Sequence, residues 1–439
     1  MSLRSPRWII YQLLFLALIP IFIARLFWRS RHEPRYRQRW LERLGYGLPK
    51  LKITEGKADW HCIWIHAVSV GEVIAAKPLI ESCLVRATQV VVTTGTLTGS
   101  DRVKALFSDR VLHCYAPYDI SIVFQRFFQH FKPGLCIVME TEIWPVWIHE
   151  LHANQVPILL ANARLSEKSL KSYKVFKYWI TPSLQKYSLI AGQSLQDCHR
   201  FQLLGANAKH LKVVGNLKFD AHLPEDFEQR RQLLRQHWGR QRWVLVAAST
   251  HLGEDEIVLS VFKRIKELIP NALLILVPRH PERFETVFNQ AVSAVREFGK
   301  VVRHSTHDPV DSNIAVVLGD TMGELIYFFG AADVAFVGGS MVPVGGHNVL
   351  EPMSASCPTI IGSHVFNFQA IVDECVEHGA IQQIQSDSEL TNALITIFEK
   401  PIITQHQIDR AHQLLTQHRG ALQKIENWIE HIQESIPQY

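Results

Sequence analysis

Carboxylates that directly follow apolar, strand-like segments are the side chains of this sequence best placed to do chemistry. In HAVSVGE, Glu72 follows such a run and falls in the first turn of a predicted helix. A carboxylate in this position can act as a general base toward an alcohol. Ser69 and Glu72, three residues apart, equally match a helix capping box, so capping and base catalysis both remain open at Glu72.

A second acidic motif, METEIWP, places Glu140 and Glu142 at the end of another apolar run, and Pro145 is predicted to start the next helix. Glu142 can stabilise positive charge that develops on a sugar, or bind a hydroxyl. The alternative is an acid favoured by the helix dipole. Two such acids exceed what capping needs, which favours function. Lys218, in GNLKFD, can meet a phosphate, although a lone lysine is usually a solvated surface residue.

Polar and Gly-rich motifs follow successive apolar runs in the second half of the chain: PRHP, DTMGE, GGS and GGHNVLEP. Gly-rich loops that lead into helix N-termini can bind anions through backbone N–H groups. Arg279 can add charge toward a diphosphate or phosphodiester. Glu351, expected one turn into its helix, can accept hydrogen bonds from ribose hydroxyls. Their clustering at strand ends predicts a nucleotide site.

Missing motifs exclude several other kinds of site. No G-x-G-x-x-G follows the first strand and no G-x-x-x-x-G-K-[ST] occurs, which disfavours a nicotinamide enzyme and a P-loop. Without H-E-x-x-H or D-x-D, and with His149 and His152 lacking further ligands, no metal is expected. A net charge of +5 without an RNA-binding signature predicts no nucleic-acid partner. The odd number of cysteines, 7, indicates reduced core residues.

Two sets of short β-branched runs alternate with helical patterns, which predicts parallel sheets covered by helices. The polar stretch 219–241 between them is predicted to be a linker, with a domain boundary within 219–229. The sequence therefore predicts an α/β fold with two Rossmann-like, doubly wound domains that face a central ligand cleft. The predicted divisions are 1–45, 46–222 and 223–439, and the helices from about Ile408 can cross back onto the first domain.

The N-terminal segment from Trp8 to Ala24 is apolar and uncharged, which predicts a membrane anchor of about the minimum spanning length. More arginines follow this segment than precede it, so the domains are expected in the cytoplasm. A cleaved signal peptide is disfavoured because no small-x-small site follows. Pro20 and Arg25 keep a monotopic arrangement open beside a single span. Trp8, Tyr11 and Trp28 are expected at the membrane interface.

The stretch 163–187 combines aromatic side chains with lysines at every third position, namely Lys168, Lys171, Lys174 and Lys177. A basic, aromatic, amphipathic stretch suits an anionic membrane surface or an anionic lipid substrate. An ordinary solvated helix face is the common alternative. Its position in the same half as the anchor favours the membrane.

Six motifs, in order behind the N-terminal segment, resemble those of the Kdo (3-deoxy-D-manno-octulosonic acid) transferases of lipid A core assembly: HAVSVGEV, METEIWP, GNLKFD, VPRHPERF, DTMGEL and FVGGSMVPVGGHNVLEP. The resemblance covers essentially the whole chain. It implies a GT-B fold in which 46–222 binds the acceptor, a lipid A precursor (lipid IVA), and 223–439 binds the donor, CMP-Kdo. It also implies inversion without a metal or other cofactor, in lipopolysaccharide biosynthesis at the cytoplasmic face of a bacterial inner membrane.

The resemblance also assigns roles to individual residues. Glu72 would be the proton acceptor, and Glu142 and Lys218 would stabilise the transition state. The residues that would bind CMP are Pro278, Arg279, Met322, Gly323, Glu324, Asn348, Val349, Leu350 and Glu351. Val68 stands where the family often has Ala, a small apolar change that leaves the carboxylate untouched.

Two other functions remain open at this point. A GT-B enzyme with a UDP-sugar donor and a different lipid acceptor would fit the same strand-end architecture, because the architecture alone does not determine which nucleobase the donor carries. A membrane-tethered adaptor without turnover would fit the fold, but the intact carboxylates argue against it.

Overall fold

The computed structural model describes residues 5–31, 33–51, 60–220 and 223–435. The chain divides into two compact units. Unit 1 comprises the described residues up to Asp220 together with those from His418 onward, and unit 2 comprises the residues between.

Unit 1 is a parallel sheet covered by helices. Its strands are β1 (Trp60–His66), β2 (Ala87–Thr94), β3 (Leu112–Tyr115), β4 (Leu135–Met139), β5 (Ile158–Ala163), β6 (Leu189–Gly192) and β7 (Leu211–Val213). Its helices before residue 220 are α1 (Pro6–Arg29), α2 (Val70–Arg86), α3 (Leu97–Phe107), α4 (Ser121–Phe131), α5 (Pro145–Ala153), α6 (Glu167–Val175), α7 (Lys177–Leu184) and α8 (Leu195–Leu203).

The strands of unit 1 are ordered β3-β2-β1-β4-β5-β6-β7, and all the neighbouring pairs are parallel. Both faces of the sheet are apolar. Along β1, Ile63 and Ile65 enter one core cluster while Cys62 and Trp64 enter the other, as the two-residue period of a strand requires. The strand order reverses between β1 and β4, which makes their carboxyl ends the expected ligand site of this sheet.

Unit 2 repeats this architecture. Its strands are β8 (Val244–Thr250), β9 (Leu273–Pro278), β10 (Lys300–Arg303), β11 (Ile314–Leu318), β12 (Val334–Val337), β13 (Thr359–Ile361) and β14 (Gln382–Gln383). Its helices are α9 (Phe227–Trp238), α10 (Glu254–Leu268), α11 (Phe284–Val295), α12 (Leu325–Ala331), α13 (Leu350–Ser354), α14 (Gln369–Glu377), α15 (Asp387–Glu399) and α16 (Pro401–His418). The parallel order β10-β11-β9-β8-β12-β13-β14 reverses between β8 and β12.

The last helix, α17 (Ala421–Ser435), belongs to unit 1. Its Ala421, Ile425 and Ile429 are buried in the same apolar cluster as α2, and Glu430 accepts a hydrogen bond of 2.8 Å from Arg86. Asp220 accepts hydrogen bonds from the backbone N–H groups of Gly420 (2.7 Å) and Leu422 (2.6 Å), which ties the start of α17 to the end of the first chain segment.

The two predicted doubly wound α/β sheets are confirmed, but the linker prediction for 219–241 is wrong in part. Helix α9 occupies Phe227–Trp238. The stretch is polar overall because the helix buries only its ends: Trp238 is fully buried against Phe328, and Phe227 stacks on Tyr327. Such sparse anchoring gives a weak helical pattern in the sequence.

Helix α1 is, within the described part of the chain, the one helix long and apolar enough to cross a membrane, with a mean hydropathy of 2.2. Trp28 is exposed, and its place at a membrane interface stays a prediction. Trp8 and Tyr11, however, face the protein, so their predicted place at a membrane interface is wrong. Trp8 is fully buried with its ring centroid 4.1 Å from that of His149, and the Tyr11 hydroxyl donates a hydrogen bond to Asp119.

Candidate active site

The first strand-end cluster lies where the strand order of unit 1 reverses. Glu72 follows β1 and stands in the first turn of α2, whose N-cap is Ser69. Its carboxylate accepts hydrogen bonds from the Val68 N–H (2.8 Å) and from the Ser69 hydroxyl (3.2 Å). Ser69 caps α2 as predicted, since its hydroxyl accepts the Glu72 N–H (3.5 Å), but the Glu72 carboxylate reaches the Val68 N–H, one residue before the N–H that a capping box uses. Base catalysis by Glu72 stays a prediction.

The environment of Glu72 differs from that of an ordinary cap. The residue is only 9% exposed. Burial raises the pKa of the Glu72 carboxyl to about 8; the negative charges of Glu140 and Glu142 act in the same direction, and the Val68 hydrogen bond opposes them. Desolvation and like charges both penalise the ionised form. A carboxyl with a pKa near 8 is a strong proton acceptor when ionised, which suits a general base at neutral or mildly alkaline pH.

Glu140 is the acid of METEIWP for which the sequence predicted no individual role. It follows β4 with φ +53°, in the left-handed region that non-glycine residues rarely adopt. Its Oε1 lies 2.9 Å from the Nζ of Lys218, and both side chains are three-quarters buried. METEIWP showed two acids, but the sequence could not show which of them meets Lys218.

Glu142 lies two residues further along, in the segment that leads into α5. Burial raises the pKa of its carboxyl, and the charge of Glu140 adds to this effect. The Tyr173 hydroxyl donates to the carbonyl of neighbouring Thr141 (2.9 Å), which fixes the backbone of the segment. Helix α5 begins at Pro145 as predicted.

Lys218 is held in place by a buried asparagine. It lies in the 3-10 turn Leu217–Phe219, and the Leu217 N–H donates to Oδ1 of Asn162 (3.0 Å). Asn162 is the penultimate residue of β5, is fully buried and has φ +53°, and its Nδ2 has no partner among the described atoms. Strained backbone and an orphaned polar atom concentrate at functional sites. The structure therefore brings Glu72, Glu142 and Lys218 to one edge of the sheet, together with Glu140.

In unit 2, the Gly-rich segment after β12 does not make the anion cradle predicted for it. The carboxylate of Glu254, which is fully buried at the start of α10, accepts the N–H groups of Gly339 (2.6 Å), Ser340 (2.9 Å) and Met341 (2.8 Å). The N–H groups of Gly345 and Gly346 donate to the carbonyl of Gly339. Since the protein itself uses these donors, the prediction that they bind a phosphate is wrong. The sequence signal for Glu254 is an acid four residues after the end of β8, at the start of a helix.

The other predicted nucleotide contacts lie beyond the carboxyl ends of the central strands. Pro278 is buried at the end of β9, and the Arg279 that follows it is exposed. In the segment after β11, Met322 is 66% exposed, Gly323 has φ +82° and Glu324 forms an ion pair with Arg230.

The last nucleotide motif surrounds α13. The Asn348 side chain donates to Glu351 (3.2 Å) and accepts from the Leu350 N–H (3.1 Å), and Val349 is buried. Helix α13 has only five residues and Glu351 is its second, so the expected position one turn into a helix is wrong. A helix this short has a small dipole, so it adds little to anion binding, and the role predicted for Arg279 stays a prediction.

Three imidazoles meet beside this region, yet the described residues contain no group of three or more His, Cys, Asp or Glu that could hold a metal ion. The Nε2 atoms of His251 and His347 lie 2.9 Å apart, and the rings of His251 and His280 have centroids 5.2 Å apart. One nitrogen of the His251–His347 pair must donate and the other accept, so both rings cannot be protonated. All seven cysteines are buried and unpaired, as predicted.

Two doubly wound units, each with candidate site residues beyond the carboxyl ends of its central strands, are the architecture of a GT-B glycosyltransferase. Residues 38–221 match the family described as 3-deoxy-D-manno-octulosonic-acid transferase (kdotransferase). The chain is 39% identical over 419 residues to the 3-deoxy-D-manno-octulosonic acid transferase of Haemophilus influenzae, covering 94% of this chain and 96% of that protein. This chain belongs to the Kdo transferase family and is a glycosyltransferase.

Other relatives span most of the chain as well. The Bordetella pertussis enzyme of the same name is 32% identical, covering 84% of this chain and 87% of its own. A probable mitochondrial 3-deoxy-D-manno-octulosonic acid transferase of Arabidopsis thaliana is 31% identical, covering 91% and 90%. Among solved structures, the C-terminal CMP-Kdo binding domain of WaaA from Acinetobacter baumannii is 34% identical, covering 43% of this chain and 97% of that one with a TM-score of 0.40.

Proposed function

We propose that this protein transfers Kdo from CMP-Kdo to a lipid A precursor, lipid IVA, in lipopolysaccharide core biosynthesis, with inversion at the sugar and without a metal. The single observation that supports this best is the buried Glu72 carboxyl, whose pKa of about 8 and strand-end position suit a base in a chain of the Kdo transferase family.

In the proposed reaction, ionised Glu72 removes the proton of the acceptor hydroxyl as that oxygen attacks the anomeric carbon of Kdo. The bond from that carbon to the phosphate oxygen breaks, and CMP departs with the electron pair. Positive charge develops on the sugar ring, and Glu142 stabilises it. Lys218, which pairs with Glu140, supplies a positive charge at the same edge of the sheet. This charge offsets the negative charge that develops on the phosphate of the departing CMP.

Unit 2 is proposed to hold the donor. Arg279 provides a fixed positive charge for the phosphate of CMP, and the acceptor oxygens of Glu351 suit ribose hydroxyls. The leaving group, CMP, is a phosphate monoester, so its charge needs less neutralisation than that of a nucleoside diphosphate. This supports the proposal that side chains replace a metal here.

Helix α1 is proposed to bring the protein to the cytoplasmic face of a bacterial inner membrane. Its outer face exposes large apolar side chains, namely Ile9, Ile10, Leu13, Leu14, Leu16, Leu18 and Ile21. Its inner face is packed against unit 1 through Trp8, Phe15 and Phe22. A helix with one face held by protein favours the monotopic arrangement over a free-standing span.

The basic stretch is proposed to add electrostatic attraction beside α1. It forms two helices, α6 and α7, rather than one, and its four lysines are exposed. The ring of Trp179 on α7 lies 5.7 Å from that of Tyr11 on α1, so the two regions adjoin. Charge reversal at Lys171 and Lys174 should weaken binding to anionic vesicles while CMP affinity stays unchanged. Unchanged vesicle binding would remove this role.

The direct test is to incubate the purified full-length protein with CMP-Kdo and tetraacylated lipid IVA and to analyse the lipid by mass spectrometry. We expect a mass increase of one or more Kdo residues, and none with Glu72→Gln. Absence of product from wild-type protein under conditions where it binds CMP would contradict the proposal.

A second candidate is a transferase that uses a UDP-sugar, because the unit 2 residues described above do not distinguish cytosine from uracil. Titration of the protein with CMP, UMP and UDP separates the two: tighter binding of CMP supports the proposal, and preference for UDP supports the alternative. The adaptor hypothesis would require unchanged biological function in Glu72→Gln and Glu142→Gln.

A further inference from the structure

Helix α1 is joined to unit 1 by directional bonds as well as by apolar packing. The Trp179 indole N–H donates to the carbonyl of Arg7 (3.0 Å), and the Ser121 N–H donates to the Gln12 side chain (3.1 Å). The Tyr11 hydroxyl donates to Oδ2 of Asp119 (2.7 Å). A helix that served only as a hydrophobic tether would need none of these, so α1 is built into the unit.

Asp119 connects α1 to the start of α5 through hydrogen bonds. It is fully buried and its carboxylate accepts three hydrogen bonds, from the Tyr11 hydroxyl and from the N–H groups of Val146 (3.2 Å) and Trp147 (3.0 Å). Val146 and Trp147 are the second and third residues of α5, whose N–H groups have no partner within the helix. Asp119 therefore caps α5 from outside, and Tyr11 shares that cap.

The segment that Asp119 fixes is the one that carries Glu142. Residues 140–144 connect β4 to the start of α5, so their course depends on where α5 begins. A second contact reaches the same segment: the ring of Phe15, one turn after Tyr11 on α1, lies 6.4 Å from that of Trp144 in an edge-on arrangement. Two independent contacts from α1 thus converge within a few residues of Glu142.

We propose that α1 is a positioning element of the active site, in which the hydrogen bond from Tyr11 to Asp119 holds the start of α5 and thereby the carboxylate of Glu142. In this proposal Tyr11 acts on Glu142 through Asp119 and the backbone, not on a substrate. This inference rests on the proposed transfer reaction for its activity readout, and on amide exchange for a readout that needs no activity.

The first test compares wild-type full-length protein with Tyr11→Phe, which removes only the hydroxyl. We expect kcat for Kdo transfer to fall about 10-fold, equivalent to about 1.4 kcal/mol, with the KM for CMP-Kdo unchanged. Hydrogen–deuterium exchange of a peptide spanning 143–151 should become faster, because the Val146 and Trp147 amides lose part of their cap. Tyr46→Phe is the matched control: Tyr46 lies in the same unit and is 48% exposed, so neither readout should change.

The second test places Tyr11→Phe in a Glu142→Gln background. If Tyr11 acts through Glu142, its removal should cost less than 2-fold there, since interacting residues are not additive. A full 10-fold loss in both backgrounds would overturn the proposal, because the effect would then be unrelated to Glu142. So would unchanged exchange of 143–151 in Tyr11→Phe. If wild-type protein transferred no Kdo at all, the proposed function would fail, and the exchange result would still decide whether Tyr11 holds the start of α5.

Discussion

Glu72→Gln should make the protein both inactive and more stable, because the buried carboxyl that we propose as the base is costly to ionise. The pKa of Glu72 is about 8 in the folded protein, against 4.5 for an ordinary glutamate. The folded state therefore binds this proton more tightly than the unfolded chain does. Stability contributed by Glu72 is fully present below pH 4.5 and is lost as the pH rises toward 8.

The size of the effect follows from these two values. A difference of about 3.5 pKa units corresponds to about 5 kcal/mol of unfavourable free energy above pH 8, at about 1.4 kcal/mol per unit. Glutamine removes this cost but keeps a single acceptor for the two donors, Val68 and Ser69, which offsets about 1–2 kcal/mol. Relaxation of nearby groups lowers the figure further. We expect the free energy of unfolding of Glu72→Gln to exceed that of wild type by about 1–3 kcal/mol at pH 8.5. For a unit of this size, each kcal/mol raises Tm by about 2–4 °C.

The assay is thermal unfolding of wild type and Glu72→Gln at pH 5 and pH 8.5, with Kdo transfer measured in parallel. Transfer should fall by about 10²- to 10⁴-fold, the usual contribution of a general base. Glu81→Gln is the control on the same helix: Glu81 pairs with Arg110, and the hydrogen bond from that guanidinium lowers the pKa of its carboxyl, so this replacement should not stabilise. Wild-type transfer by Glu72→Gln would refute the base assignment. Equal stability of the two proteins at both pH values would refute the electrostatic reasoning.

Three further changes test other parts of the structure. Glu140→Gln removes a negative charge that raises the pKa of Glu72, so the rise of kcat/KM with pH should move to lower pH; an unmoved profile would contradict the coupling. Asp220→Ala leaves two backbone N–H groups at the start of α17 without their acceptor and should destabilise unit 1 by about 1–3 kcal/mol, measured by denaturant unfolding. Glu254→Gln offers one acceptor where the carboxylate has two and should weaken CMP binding about 10-fold in calorimetry, whereas Glu256→Gln on the same helix should bind normally.

The sequence predicted most of the fold because buried parallel strands are continuous apolar runs, which local pattern reveals. Both predicted sets of parallel strands occur. The strands β10 and β14 are harder to recognise in the sequence, since they are short and carry charged or polar residues at the sheet edges, where burial imposes little pattern.

The candidate site was predictable only as far as its residues lie within single motifs. The cap formed by Ser69 and Glu72 spans three residues and is visible in the sequence. Contacts between distant segments are not: Lys218 meets Glu140 across 78 residues, and Glu254 meets the Gly339 N–H across 85. The second contact reverses the expected role of a Gly-rich loop, because a buried carboxylate occupies the donors that a ligand phosphate would otherwise use.

The return of α17 to unit 1 also determines the order in which the two halves can be completed during synthesis. Unit 2 is one continuous stretch of about 200 residues and has all its elements before the ribosome reaches His418. Unit 1 begins first but lacks the helix that covers α2 until the final residues emerge. At about 5–20 residues per second, the apolar surface of α2 stays uncovered for roughly 10–40 s while unit 2 is made. A premature stop codon between Ala421 and Ile429 would therefore leave the elements of unit 2 intact and remove buried residues of α17 from unit 1, the unit that carries Glu72.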